Sequence, residues 1–296
     1  PGDLPRVVPR RAARVWAAMS ALELSCLAIV GLYVVIRARR DPAPGRFLSR
    51  LGLLSVAAWI GEDTVIHAYG FYSYADVWTL WIDVTPLMIP LIWPVVIHSA
   101  WDLACHLLGQ RHRLVPLAAA GFVLADAAFI EPIAVEAGLW RWTEPGLFAV
   151  PPIGVLGWAL FALLALSLLH RERDMPVRGL TVARLLIVAP LGCHLLLLAV
   201  WWGGLRWVNG TVPPWPAAAL VGLLGLGLCI TAFRRRLRHR VPLMEMLARV
   251  PAAGFFVVLL ALEAQPPVAL LVWSACFVPP YLALVDVAGL RRAARE

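Results

Sequence analysis

Lysine is absent from this chain, and all 26 of its Lys-plus-Arg positions are arginine. Without a lysine amine no retinal Schiff base can form, so a rhodopsin is excluded whatever the number of helices. Charge of any kind is scarce, at 15% of residues against 61% hydrophobic, far above the roughly 45–50% apolar content of soluble domains. The five cysteines are dispersed with no C-x-x-C pair, which argues against a disulfide framework or a thiolate metal centre and leaves small buried apolar residues. No H-x-x-x-H or H-x-x-H-H box is present, so a di-iron desaturase or hydroxylase is disfavoured. Paired Asp-rich motifs for Mg²⁺ and diphosphate are missing too, which disfavours a prenyltransferase.

What the chain does have is long apolar stretches: 15–36, 51–68, 78–101, 114–130, 150–169, 179–202, 216–233, 250–265 and 267–288. Their lengths suit a hydrocarbon core of roughly 30 Å, and the mean hydropathy is +0.79. The expected fold is an all-α polytopic membrane helix bundle of about eight or nine transmembrane helices, forming one domain over 1–296. Residues 1–14 read as an interfacial segment, and Pro266–Pro267 could turn the last pair into a re-entrant hairpin. Nineteen arginines fall in alternate loops, while the opposite loops carry only Arg141 and Arg206. By the positive-inside rule the first set is cytoplasmic, which puts the C-terminus inside, with a bacterial inner or plasma membrane as the expected location. That alternation also speaks against nucleic-acid binding; membrane lipids are the expected surroundings.

The acids are distributed the other way. Eleven of them, including Glu62, Asp63, Asp83, Asp126 and Glu131, fall in the outer half or outside, with almost no arginine facing them. Ionisable groups in hydrocarbon cost several kcal/mol each, about 2.5–3.5 at mid-bilayer on insertion scales, and a fold that carries a cluster of them normally uses it. A carboxyl group held away from water and cations keeps its proton and can donate it. The bland alternative is hydrogen-bonded glue between helices. Asp63 and His67 are four apart on one helix face, so His67 can relay a proton or cap the helix. The third stretch places Pro86, Pro90 and Pro94 at spacing four behind Asp83 and reads as a distorted helix lining a cavity. His98, Asp102 and His106 make a polar stripe that converges poorly on one metal ion, and no metal site is expected. Trp59, Trp93 and Trp158 lie in or beside the acidic stretches, where a π face can stabilise a cation as readily as fill a core. The loop from Glu131 to Pro151, with Trp140 and Trp142, is long enough to be a functional lid or an interfacial belt.

Asp126-x4-Glu131-Pro-x-Ala-Val, Gly138-Leu-Trp-Arg-Trp142 and Val150-Pro followed by Gly157-Trp158 together resemble the CruF-type carotenoid hydratase family of integral membrane proteins. Gly70-Phe-Tyr-Ser-Tyr74 and Pro86-Leu-Met-Ile-Pro90-Leu-Ile-Trp93 are similar to that family's pattern as well. The resemblance covers roughly residues 60–160 and implies addition of water across the terminal double bond of an acyclic carotenoid, without a cofactor. It implies Asp126, Glu131, Trp140, Trp142 and Trp158 as site residues. Two departures stand out: Gly154 occupies the place of an Asn, and the Glu62-Asp63 pair with His67 replaces a Gly- and Thr-containing segment. Either departure would fit altered water positioning or a terpenoid cyclase that uses the same protonated alkene.

The residues and the resemblance together give a set of expectations. The catalytic candidates are Asp126 first, then Asp63, with Glu62, Asp83, Glu131 and His67. The candidates for facing a hydrophobic isoprenoid drawn from the bilayer are Trp59, Tyr72, Tyr74, Trp93, Trp140, Trp142 and Trp158. Glu62, Asp63, Asp83 and Asp126 are expected on one cavity. A proton-coupled transporter is the rival of another class, since broken helices and intramembrane acids also suit a carrier; against it, the chain shows no half-and-half repeat.

Overall fold

The computed structural model describes residues 9–237 and 241–285. Nine helices run through these residues. They are α1 (Pro9–Arg40), α2 (Pro44–Tyr69), α3 (Met88–Leu108), α4 (Val115–Glu136), α5 (Pro152–Arg171), α6 (Gly179–Val208), α7 (Pro214–Arg234), α8 (Leu243–Leu262) and α9 (Val268–Leu282). Seven helical stretches among the described residues are long and apolar enough to cross a membrane, and the molecule is a helical membrane bundle. α2 is long enough but carries more charge, and α9 is shorter. Of the N-terminal segment 1–14, residues 1–8 lie outside the described part, whereas Pro9–Arg14 is continuous with α1. Arg238, Arg240 and the arginines after 290 also lie outside it.

Proline starts helices here more often than it bends them. Pro stands in the first two positions of α2, α4, α5 and α7, where its missing N–H would have had no intrahelical partner. The expectation of a helix over 78–101 needs correction for the same reason. α3 begins only at Met88; Pro86 precedes it, Pro90 lies in its first turn and only Pro94 is interior. The stretch before it forms two short strands, β2 (Trp81–Ile82) and β3 (Thr85–Pro86), and Asp83 sits in their turn with φ 54°. Asp83 is therefore not at the mouth of a distorted helix.

The core lies between α3, α4 and α5. α4 offers Ala119, Ala127 and Ala134, and α5 offers Ala162 and Ala165, all fully buried. Small side chains let helix backbones approach closely, the main source of packing energy where lipid is as apolar as leucine. The outer face of α7 is the opposite: Leu220, Leu223, Leu224 and Leu228 are exposed, as a lipid-facing surface requires.

The arginines gather at one end of the bundle. Arg50 Nη2 donates to the carbonyls of Glu172 (2.7 Å), Arg173 (2.8 Å) and Met175 (3.1 Å), tying α2 to the loop after α5. Arg37 of α1 pairs with Asp102 of α3 at 2.8 Å and with Glu245 of α8 at 2.7 Å. His98 sits 3.1 Å from Asp102 and 2.9 Å from the Tyr33 hydroxyl. The His98–Asp102–His106 stripe is thus taken up mainly by this ionic network. At the other end lie two antiparallel strands, β1 (Tyr72–Tyr74) and β4 (Trp140–Trp142).

Candidate active site

Each strand of the β1–β4 pair alternates an aromatic ring with a small or charged residue, and period-two geometry sends alternate residues to opposite faces. Tyr72 faces Trp142 and Tyr74 faces Trp140, while Ser73 and Arg141 pair on the other side, joined by a 3.1 Å hydrogen bond. Gly70 makes the strand possible by ending α2 in the left-handed region at φ 59°, its N–H capping the Ile66 carbonyl. The four rings clasp two carboxyl groups. Tyr74 and Tyr72 donate to Glu62 of α2. The indole N–H groups of Trp140 (2.8 Å) and Trp142 (3.3 Å) both donate to one oxygen of Glu131, on α4. Burial above all holds the Tyr72 and Tyr74 phenols well above their ordinary range, so both stay protonated and act as donors.

Glu62 and Glu131 are buried, and no ion pair reaches either among the described residues. An uncompensated buried charge is so costly that such a group stays neutral instead. Of the two, only Glu62 lines a narrow cavity between α2, α5 and α6, with about 50 Å³ open to the centre of a water molecule. Its wall is otherwise mostly aromatic and aliphatic, with Phe71, Tyr72, Trp142, Trp158 and Phe161 as its rings. Trp158 is held flat by Trp93, stacked with centroids 3.9 Å apart and planes at 14°. Cys193 and His194 of α6 add the remaining polar atoms.

The expected convergence of four acids on this cavity does not occur. Only Glu62 lines it. Asp63, one residue on, points elsewhere and accepts from Thr85 Oγ1 at 3.2 Å. His67 Nε2 lies 2.8 Å from Asp83 and 3.7 Å from Asp63, and these three offer ligand atoms within 4.8 Å of one another. Asp83 and His67 are more than half exposed, so this trio is a surface cluster that could accept a cation. Trp59 leans toward it, its indole N–H 3.3 Å from the Ile82 carbonyl. Asp126 lies apart in a different set of partners. Arg249 pairs with it, and the Tyr281 hydroxyl donates to it at 2.7 Å. The sequence placed Arg249 in a cytoplasmic loop and left Asp126 without a cation. Arg249 instead stands where α8 breaks, its side chain buried against α3, α4 and α9. Asp126 is an ion-paired carboxylate, which removes the reason for ranking it first as a proton donor.

His194 went unnoticed in the sequence because it sits alone in an apolar run. The available signal was its isolation: between Arg184 and Arg206 no other side chain can carry a positive charge. An ionisable residue inside a membrane span is a functional candidate by default.

Gly154 now has a physical reason. A Cβ there would meet the Trp142 ring at 2.6 Å. The ring cannot easily give way, since its N–H is bonded to Glu131 and Tyr72 packs on it at 4.5 Å. Gly154→Ala is expected to lower stability by about 1–3 kcal/mol, as overpacking does, by displacing Trp142. Gly121→Ala on α4, where nothing lies within 4 Å, is the control and should be neutral or slightly stabilising. Thermal midpoints in detergent check both; equal midpoints for the two variants would contradict the close contact.

No curated protein and no solved structure matches this chain. A family model described as carotenoid biosynthesis protein matches residues 20–226, a wider stretch than the motifs alone covered.

Proposed function

The chain belongs to the carotenoid biosynthesis protein family, and on that premise we propose that it hydrates the terminal double bond of an acyclic carotenoid or related polyprenoid, with Glu62 as the proton donor. The observation that carries this reading is a buried carboxyl group, with no ion-pair partner among the described residues, on the wall of a cavity otherwise built mostly from π faces and aliphatic side chains. The alkene π pair takes the Glu62 proton, forming a C–H bond at the less substituted carbon and leaving a tertiary cation. Trp158, backed by Trp93, and Trp142 present ring faces to that cation, an attraction of about 2 kcal/mol or more once water is excluded. Water then adds to give a tertiary alcohol. The sequence of steps adds one water with no net oxidation or reduction, so it calls for no redox cofactor. An apolar polyene reaches such a cavity from the bilayer.

Intramolecular capture by a neighbouring double bond is the second reading, favoured because Gly154, covered by the Trp142 ring, offers no polar side chain to hold a water. Expression in a host that accumulates an acyclic carotenoid, with mass analysis of extracts, separates the readings. A product heavier by one water supports hydration. An isomer of unchanged mass and shifted retention supports cyclisation, and the absence of any conversion would sink both.

We assign the arginine-rich end, with Arg50, Arg111 and Arg173, to the cytoplasmic side, and the β1–β4 end to the opposite face. Reporter fusions in the loop 109–114 should read cytoplasmic and those in the loop 143–147 external. The reverse pattern would invert the assignment.

A further inference from the structure

Water addition releases a proton inside the cavity, and Glu62 has only just given one up. The Glu62 carboxylate can take that proton back, and a second base on the same cavity would activate the water for its attack. We propose that His194 is that base, acting through the Tyr69 hydroxyl; the inference rests on the hydration reading above.

His194 lines the same cavity as Glu62 and reaches it from α6. Its two ring nitrogens have distinct partners. Nε2 lies 2.8 Å from Thr64 Oγ1, and Nδ1 lies 2.9 Å from the Tyr69 hydroxyl. Thr64 has one hydroxyl proton, which it donates to the Ile60 carbonyl in the preceding turn. Its oxygen must therefore accept from His194, which puts the ring proton on Nε2 and leaves the Nδ1 lone pair to accept from Tyr69. That is the neutral tautomer a base requires. Tyr69 packs against Phe71, another wall of the cavity, with centroids 5.4 Å apart, and stands half-exposed at the end of α2. The helix carrying His194 is shaped around this spot. π-helical turns at Arg184–Val188 and Trp201–Leu205 flank the α-helical stretch Ala189–Val200, and Pro190, Cys193, His194 and Leu197 of that stretch all line the cavity. Wide turns of this kind re-aim side chains and recur at functional sites.

The step balances as follows. A water oxygen lone pair forms the C–O bond to the tertiary cation. One of its protons passes to the Tyr69 oxygen as the Tyr69 proton moves to Nδ1, giving an imidazolium. Transfer of that proton back to the Glu62 carboxylate restores both groups, so one alkene and one water yield one alcohol.

His194→Gln keeps a donor for Thr64 and an acceptor for Tyr69 but cannot take up a proton. In membranes of a host making an acyclic carotenoid, its alcohol product should fall about 10²-fold or more. Double-bond isomers of unchanged mass should appear in its place, because the cation still forms and loses a proton elsewhere. Tyr69→Phe should show the same change in product ratio, and the double variant should be no worse than His194→Gln alone. Glu62→Gln should make neither product. If wild type makes alcohol and Glu62→Gln does not, but His194→Gln keeps the normal rate and ratio, this inference is overturned and the hydration reading stands. The inference also falls if folded His194→Gln loses alcohol without any rise in isomers. If wild type makes no alcohol, both fall together.

Discussion

Glu62→Gln should cost at least about 10²–10⁴-fold in product formation, the contribution of a positioned general acid, in a protein that folds like the wild type. Gln has nearly the shape of a protonated Glu, and its carbonyl oxygen can still accept from Tyr74 and Tyr72. Its amide protons are too weakly acidic to pass to an alkene. The loss should therefore appear in turnover and not in the thermal midpoint. Glu131→Gln makes the comparison sharp. Glu131 does not line the cavity and works as an acceptor for two indole N–H groups, a duty the Gln carbonyl can also perform. Its variant should retain activity within about tenfold, as general-acid losses begin near 10². Product measured per folded protein decides the matter: a Glu62→Gln enzyme within tenfold of wild type would end the acid assignment.

The bundle was legible in the sequence because a helix in lipid must announce itself by length and hydropathy. The two aromatic motifs were legible too, as Tyr72–Tyr74 and Trp140–Trp142. Their pairing was not, since the two helices α3 and α4 separate them and strand register is a tertiary property. Proline spacing misled at Asp83, because Pro86 and Pro90 mark the start of a helix as readily as they distort its middle. Choosing Glu62 over Asp63 required knowing which face of α2 meets α5 and α6, and adjacent residues on a helix point about 100° apart. Arg249 was hidden by an assumption: a charged residue between apolar stretches was read as loop, while the broken helix α8 carries it inward to Asp126, 123 residues away in sequence.

That ion pair yields the second large effect, on stability. Arg249→Met should destabilise the protein by about 3–5 kcal/mol, because it strands the Asp126 carboxylate among buried side chains. Arg249 bonds Ser99 of α3, Asp126 of α4 and Tyr281 of α9, so one guanidinium clamps the C-terminal pair onto the core. Arg249 and Tyr281 both lie beyond residues 20–226, the stretch that the family model matches. Breaking one side of a buried pair costs far more than removing both, since the surviving charge is what hurts. Asp126→Leu combined with Arg249→Met should therefore recover most of the loss in thermal midpoint. A double variant as unstable as Arg249→Met alone would show that packing, and not the stranded charge, sets the cost. Asp126→Asn separates structure from chemistry at the same position. It weakens the clamp and lowers the midpoint, but product per folded molecule should stay near the wild-type value. A folded Asp126→Asn protein without activity would return the proton-donor role to Asp126 and take it from Glu62.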